Sequence, residues 1–337
     1  MTGILSPGRS PKTAASSPSA AVPAGLNRRY LRTQDLRRLS HLFFSPRRII
    51  EGQYSGYHAT RQRGQSVEFR DYRQYMPGDE IGTIDWKVYG RSDKLFIKLY
   101  EHQADLTVHL LVDASASMGY YGLKKRLLSS HRRKAVAAAQ PQSKYDYACA
   151  LAAAIAFLVI KQHDRVSFSL AQKGLADFLA PAGSMPHLVG ILNKMEAALP
   201  KGAAKLSDAI RQIAGNSRRR DLLIVFSDLL EDRDEIMKSL TMCAHRGGEV
   251  IVFHVLHADE LKLPAVENGL FIDSETKAQL RLNLEDIRPA YEEKMRDFLD
   301  GWSKITRAND MDYTLCSTAD PYWRSLQRYL TGRAARI

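Results

Sequence analysis

The sequence predicts an α/β fold: a doubly wound, mostly parallel sheet flanked by helices, preceded by a small β-rich module. Three observations predict it. From Leu106 onward, continuous apolar runs of strand length (LTVHLLV at 106–112, DLLIVF at 221–226, EVIVFHVL at 249–256) read as strands buried on both faces. Helix-length segments with short links separate them, the alternation that gives right-handed crossovers and a parallel sheet. A chain of 337 residues, 45% hydrophobic and 26% charged, is long and apolar enough for one large domain and a smaller companion.

Taken in order, residues 1–27 are rich in Pro, Ser and Ala, show no periodicity, and are expected to be disordered. Arg28 to Leu42 fits a short basic amphipathic helix with Leu31, Leu36, Leu39 and Leu42 on one side. Residues 1–44 are therefore expected to form a disordered, basic arm that adds no core. Residues 45–105 alternate turn signals (MPGDE, GRSD) with β-like runs such as SVEFRDY and LFIKLYE, which defines the β-rich module.

The large domain is expected over 106–332. An Ala-rich apolar helix is predicted at 145–162, a strand pair at 165–170 and 174–179, and helices at about 186–198 and 205–214. Beyond the strand at 221–226 come helix 232–245, strand 249–256, helix 289–307, strand 312–317 and a last helix at 321–331. Residues 119–144 stand apart as a basic insert between the first strand and the Ala-rich helix.

Charge is concentrated in two places. The chain carries a net +12, yet residues 1–48 hold nine Arg/Lys against one acid and residues 119–144 hold seven against none, which leaves the rest at −3. The folded body is thus near neutral, and the insert reads as a solvated loop able to steer an acidic partner. Neither basic stretch interleaves aromatic residues as a base-stacking platform would, so sequence-specific nucleic-acid reading is not expected. Three scattered cysteines form neither a disulfide framework nor a CxxC zinc site. The longest apolar run, Tyr147 to Ile160, is too short to span a bilayer, and no signal peptide is visible, so a cytoplasmic protein is expected.

Chemistry concentrates at Asp113-Ala-Ser115-Ala-Ser117-Met118-Gly119, directly after the first buried strand. A carboxylate and two hydroxyls at alternate positions aim three oxygens at one point when the loop curls, which supplies part of the shell a hard divalent ion requires. Asp228, following LLIVFS, stands at the carboxyl end of another central strand, where a doubly wound sheet gathers its ligands. The expected metal ligands are therefore Asp113, Ser115, Ser117 and Asp228, and the expected ion is Mg²⁺, with Mn²⁺ or Ca²⁺ as alternatives.

These residues make the chain resemble a von Willebrand factor A-type domain, whose metal-ion-dependent adhesion site (MIDAS) uses a DxSxS loop. The upstream block from Gly64 through Glu68-Phe69-Arg70-Asp71-Tyr72-Arg73, Tyr75, Pro77-Gly78-Asp79 and Ile84-Asp85-Trp86-Lys87 to Tyr89-Gly90-Arg91 is similar to the bacterial "domain of unknown function 58" family over roughly residues 45–332. The resemblance implies a cytosolic accessory protein, often encoded beside a MoxR-type AAA+ ATPase, and no settled biochemical activity. Two departures stand out. Ala204 occupies the place of the third metal-loop threonine, with Ser207 or water as substitutes, and Gly82 stands where an arginine is common.

Other chemistries are poorly supported. Ser115 and Ser117 have no GxSxG elbow and no base nearby in sequence, no P-loop is present, and His58, His102, His109 and His163 lack metal-pair spacing. Asp79, Asp85 and Arg91 read as salt-bridge partners, and Trp86 as packing. The expected function is a non-enzymatic protein-protein interaction protein whose metal face meets an acidic partner surface, assisting the ATPase in chaperone-like maturation of other complexes. The alternatives are a basic adaptor for nucleic acid or an anionic membrane surface and, third, a metal-dependent hydrolase.

Overall fold

A computed structural model describes residues 28–39, 42–44, 68–75, 84–92, 94–101, 106–123, 143–218 and 221–334. Six strands form the main sheet: β3 (Thr107–Asp113), β4 (Arg165–Ala171), β5 (Leu175–Ala182), β6 (Leu222–Ser227), β7 (Glu249–Leu256) and β10 (Asp312–Ser317), in the order β10-β7-β6-β3-β4-β5. All neighbours pair in parallel except β5, which returns antiparallel along β4 at one edge. The strand order reverses beside β3, so the loops after β3 and β6 open side by side.

Both faces of the sheet are covered, as continuous apolar strands require. Alternate residues divide between two cores. Val108, Leu110, Val112, Leu222, Ile224 and Phe226 enter one, built with α3 (Lys144–Lys161), α4 (Met185–Ala197) and α9 (Tyr322–Ala334). Leu111, Leu223 and Val225 enter the other, built with α5 (Leu206–Asn216), α6 (Arg233–His245) and α8 (Leu284–Ala308). Sequence periodicity locates these strands and helices to within a few residues. The exception is α8, which begins five residues before Pro289 because Asn283 Oδ1 accepts from the Glu285 backbone N–H at 2.9 Å and starts the helix upstream of the proline.

The central element is α3. Every residue from Lys144 to Ile160 is buried, and six alanines between Ala148 and Ala156 let its neighbours approach closely. Its start is fixed by a reciprocal cap: Ser143 Oγ accepts from the Asp146 backbone N–H, and the Asp146 carboxylate accepts from the Ser143 N–H. A helix apolar all round must be covered all round, and residues 28–39 and 42–44 supply the outer cover. Tyr30, Leu31, Leu39 and Phe44 are buried in the same core. The Tyr30 hydroxyl and the Arg29 guanidinium each donate to Asp146 Oδ1 at 2.8 Å. Phe44 and Gln162 exchange two hydrogen bonds, and Tyr322 donates to Asp35 in the first turn of the short helix α1 (Thr33–Leu39).

This corrects the expectation of a basic arm over 1–44 that adds no core. Arg37 and Arg38 are exposed, but Tyr30, Leu31, Leu39 and Phe44 complete the α3 layer. The disorder expected over 1–27 lies outside the described residues.

Of the module expected at 45–105, the structure describes β1 (Glu68–Gln74), antiparallel to β2 (Phe96–Glu101), with a bulge between Phe69 and Asp71. Between them runs a helix, α2 (Trp86–Ser92), where only β-like runs were expected. Asp85 caps α2: its carboxylate accepts from the Lys87 N–H at 3.0 Å and its carbonyl from Val88 and Tyr89. Trp86 is 59% exposed, against the expectation that it packs. Asp79, Gly82 and residues 45–67 lie outside the described residues. Two further elements carried no clear sequence signal: α7 (Ala258–Leu261) and an exposed hairpin of β8 (Asn268–Ile272) and β9 (Gln279–Asn283).

Leu31→Ala should lower the free energy of unfolding by about 2–4 kcal/mol in urea titrations, because it empties a fully enclosed site against α3. Phe43→Ala, one residue from the buried Phe44 but 70% exposed, should stay within about 0.5 kcal/mol.

Candidate functional site

The site is built where β3 and β6 end. Asp113, the last residue of β3, is buried and has both carboxylate oxygens engaged: Oδ1 accepts from the Ser115 backbone N–H at 2.8 Å, and Oδ2 from the Ser227 hydroxyl at 2.6 Å. The first bond curls the loop into a one-residue-spaced turn, and a 3-10 turn at Ser117–Gly119 then closes it. Ser117 donates to Asp228 Oδ2 at 2.7 Å. Its single hydroxyl proton is thereby committed, so Ser115 is the donor in the 2.9 Å contact between the two serines. The four residues expected from sequence, Asp113, Ser115, Ser117 and Asp228, do converge.

Two further loops complete the rim. The stretch before α5 is pinned to the first loop by Ala116 N–H donating to Gly202 C=O at 2.8 Å and Lys201 N–H to Ala114 C=O at 3.1 Å. Gly202 turns there at φ +67°. The third loop is therefore where the sequence suggested, but half-buried Ala204 brings no side-chain oxygen. Ser207 does not substitute. Its hydroxyl donates to Glu231 Oε1 at 2.5 Å, while Leu206 N–H donates to Glu231 Oε2 at 2.6 Å, so Glu231 caps α5 from the loop after β6.

Below Asp228, buried His254 fixes the backbone. A carbonyl can only accept, so Nε2 carries the proton it gives to Asp228 C=O at 2.9 Å, and Nδ1 accepts from the Tyr313 hydroxyl at 2.7 Å. Burial holds His254 down to about 4, in keeping with a neutral ring. His109 is likewise structural, bridging Ser167 at 2.6 Å and Asp221 at 3.0 Å. His58 and His102 lie outside the described residues.

Sequence reasoning missed the residue at the centre. Lys144, counted with the solvated insert, is the first residue of α3 and wholly buried. Its ammonium lies 2.7 Å from Asp228 Oδ2 and 2.6 Å from Glu260 Oε1. Burial works against its charge, but Asp228 and Glu260 outweigh that and hold its pKa above the ordinary lysine value. Glu260 is itself pushed up by burial, against the pull of Lys144. Asp113 rises well above the usual carboxylate range, first through burial and then through the nearby Asp228 charge. A signal for Lys144 was present: a cation in the first turn of a helix opposes the helix dipole and needs a partner.

The same contacts close the neck of the insert. Lys144 N–H donates to Tyr120 C=O at 3.1 Å. Asp259 Oδ2 accepts from the Leu123 N–H at 2.8 Å and the Tyr120 hydroxyl at 3.2 Å, and the Tyr120 ring stands edge-on to His257 at 5.0 Å. Gly122, at φ +86°, has no room for a side chain, since a Cβ there would collide with the His257 ring. Residues 124–142, which carry the insert's other charges, lie outside the described residues.

Tested as a divalent-ion site, the arrangement does not fit while Lys144 is seated. Both Asp113 oxygens are taken by protein donors, Asp228 is paired with an ammonium, and the third loop supplies no oxygen. Among the described residues no group of three or more His, Cys, Asp or Glu side chains is arranged to hold a metal.

Glu231→Ala should cost about 1–2 kcal/mol and loosen amide protection in the first turn of α5, because it strands the Leu206 N–H and Ser207 hydroxyl. Hydrogen exchange at Leu206–Asp208 checks it. Gly122→Ala should lower the melting temperature through the left-handed backbone and the His257 collision together.

Among solved structures, BatB from Bacteroides thetaiotaomicron is 13% identical at a TM-score of 0.40, over 68% of this chain and 99% of that one. The SpRpn10 VWA domain is 10% identical at 0.38, over 66% and 94%. At that distance neither carries a residue role. Curated relatives include the uncharacterized proteins Rv1480 of Mycobacterium tuberculosis and Mb1516 of Mycobacterium bovis, each 27% identical over 231 residues, or 67% of either chain. The model of the family described as "Protein of unknown function DUF58" matches residues 71–298, and with two-thirds of its length so matched the chain belongs to that family.

Proposed function

We propose that this chain is a non-enzymatic protein-interaction protein that binds its partner through the rim around Asp113, Ser117 and Asp228. The observation that carries the reading is the make-up of that rim. Loops from three separate parts of the chain are hydrogen-bonded into one rigid edge, and each presents an exposed large apolar side chain. Tyr121 (39% exposed) follows the first loop, Leu199 (73%) opens the third, and Leu230 (58%) follows Asp228. Apolar anchors on a preorganised, polar-centred surface have the make-up of a binding interface. Lys201 and Lys205, exposed on the third loop, add positive charge suited to an acidic partner surface.

No described helix is long and apolar enough to cross a membrane. Acting in the cytoplasm beside a MoxR-type AAA+ ATPase, in chaperone-like maturation of other complexes, is the partner reading that the sequence resemblance supports. The hydroxyl chain through Ser115 and Ser117 ends on an ion-paired carboxylate rather than a free base, which favours binding over hydrolysis. The Mg²⁺ expected at Asp113, Ser115, Ser117 and Asp228 would have to compete with Lys144 for Asp228, so the interaction reading does not depend on it.

The test is binding of the purified chain to a MoxR-type ATPase from the same genome, by biolayer interferometry. Leu230→Ala and Leu199→Ala should each weaken it by roughly tenfold or more, as expected for truncated anchors, with unchanged circular dichroism. Equal affinity for both variants and wild type would remove the rim from the interface. Binding that collapses with salt but ignores the rim substitutions would point to a phosphate-seeking basic adaptor instead.

A further inference from the structure

We propose that Lys144 is a tethered cation that takes the place of a divalent ion at this face, so that the rim is assembled without metal. The inference concerns the same site as the proposed function but rests on its geometry alone. The Lys144 ammonium holds one of the oxygens a metal would use: Asp228 Oδ2 accepts from Ser117 and from Lys144, each at 2.7 Å.

The arrangement is built for the ammonium. A second carboxylate, Glu260, faces it at 2.6 Å and is positioned by its own contacts: Oε2 accepts from the His257 N–H at 2.7 Å, and the Glu260 carbonyl from the Tyr291 hydroxyl, also at 2.7 Å. A divalent ion at Asp228 would meet the ammonium as a like charge with no water between them, since Lys144 has no solvent exposure.

Attachment to the chain also favours lysine. Lys144 is held by the Ser143 cap at the start of α3 and by its backbone bond to Tyr120, so the ammonium is delivered at an effective concentration that a free ion would have to match. The missing third-loop oxygen at Ala204 follows from the same substitution. An octahedral ion needs that ligand or a water in its place, whereas an ammonium satisfied by two carboxylates does not.

The experiment compares wild type with Lys144→Met, which keeps the length and removes the charge, by calorimetry and thermal unfolding with Mn²⁺, Mg²⁺ or chelator. Wild type should show no stoichiometric ion binding up to millimolar concentrations and no change in melting temperature with chelator. Lys144→Met should unfold at a lower temperature in chelator, because it leaves the buried Asp228 and the half-buried Glu260 without their cation. Mn²⁺ should restore it, with affinity raised at least about tenfold over wild type.

Stoichiometric binding by wild type overturns the proposal, and so does a folded Lys144→Met that gains nothing from Mn²⁺. Should Lys144→Met fail to fold under every condition, Lys144→Met/Glu260→Gln removes one stranded charge and is judged by the same two criteria. Should that fail too, the ¹⁵Nζ resonance of Lys144 in wild type decides: protected and unmoved by Mg²⁺ supports the proposal, and displaced by Mg²⁺ overturns it. None of these arms uses a partner, so their outcome is separate from that of the rim substitutions.

Discussion

A buried ammonium must be paired or it will not stay charged, and the pairing of Lys144 with Asp228 and Glu260 ties together segments that the sequence keeps far apart. Lys144 starts α3, Asp228 opens the loop after β6, and Glu260 lies in the single turn after β7. Through Ser117 the same Asp228 reaches the loop after β3, and its backbone reaches β7 and β10 through His254 and Tyr313. Losing the ammonium would leave the buried Asp228 between two other carboxylates, Glu260 and Asp113, with no cation. The loops at the carboxyl edge of the sheet are thus held by charge balance as much as by hydrogen bonds.

A second constraint works on the opposite side of α3. The helix is apolar around its whole circumference, and the sheet with α4 and α9 does not cover it completely. Residues 28–39 and 42–44 are recruited to do so, fastened at Asp146, Gln162 and Tyr322. Asp146 serves both ends of the argument. It closes the Ser143 cap that sets where α3 begins, and it receives Tyr30 and Arg29 from the covering segment. Because Lys144 is two residues from Asp146, the position of the ammonium depends on packing as well as on its partners.

The fold was largely legible because its signals are local. Strands buried on both faces read as unbroken apolar runs, and their alternation with helices leaves little freedom in topology. The four residues at the two strand ends were legible for the same reason: a strand end locates a side chain in a parallel sheet. What was not legible depended on long-range pairing. Lys144 belongs by composition to a basic loop, and only the position of Glu260, 116 residues later, makes it a core residue. Ser207 looked like a spare hydroxyl until Glu231 claimed it as part of a helix cap. The covering segment was misread because its basic residues dominate the composition while four apolar ones decide its placement. One inference could have recovered it: a helix apolar all round, in a chain with no membrane-length run, demands a second cover from elsewhere.

These constraints bear on how such a face recognises anything. In a metal-anchored interface the ion keeps a coordination position open, and a carboxylate from the partner fills it, so specificity resides in one strong bond. With an ammonium seated on Asp228 and wholly enclosed, no such position is offered, and Ser117 and Glu260 are the centre groups that reach solvent. Recognition then falls to the rim. Tyr121, Leu199 and Leu230 supply apolar area, the third-loop lysines supply charge, and the buried network holds them in fixed relation. Such an interface would be indifferent to Mg²⁺ concentration and sensitive to shape, and its affinity would track the rigidity of the loops, which returns the argument to the charge balance beneath them.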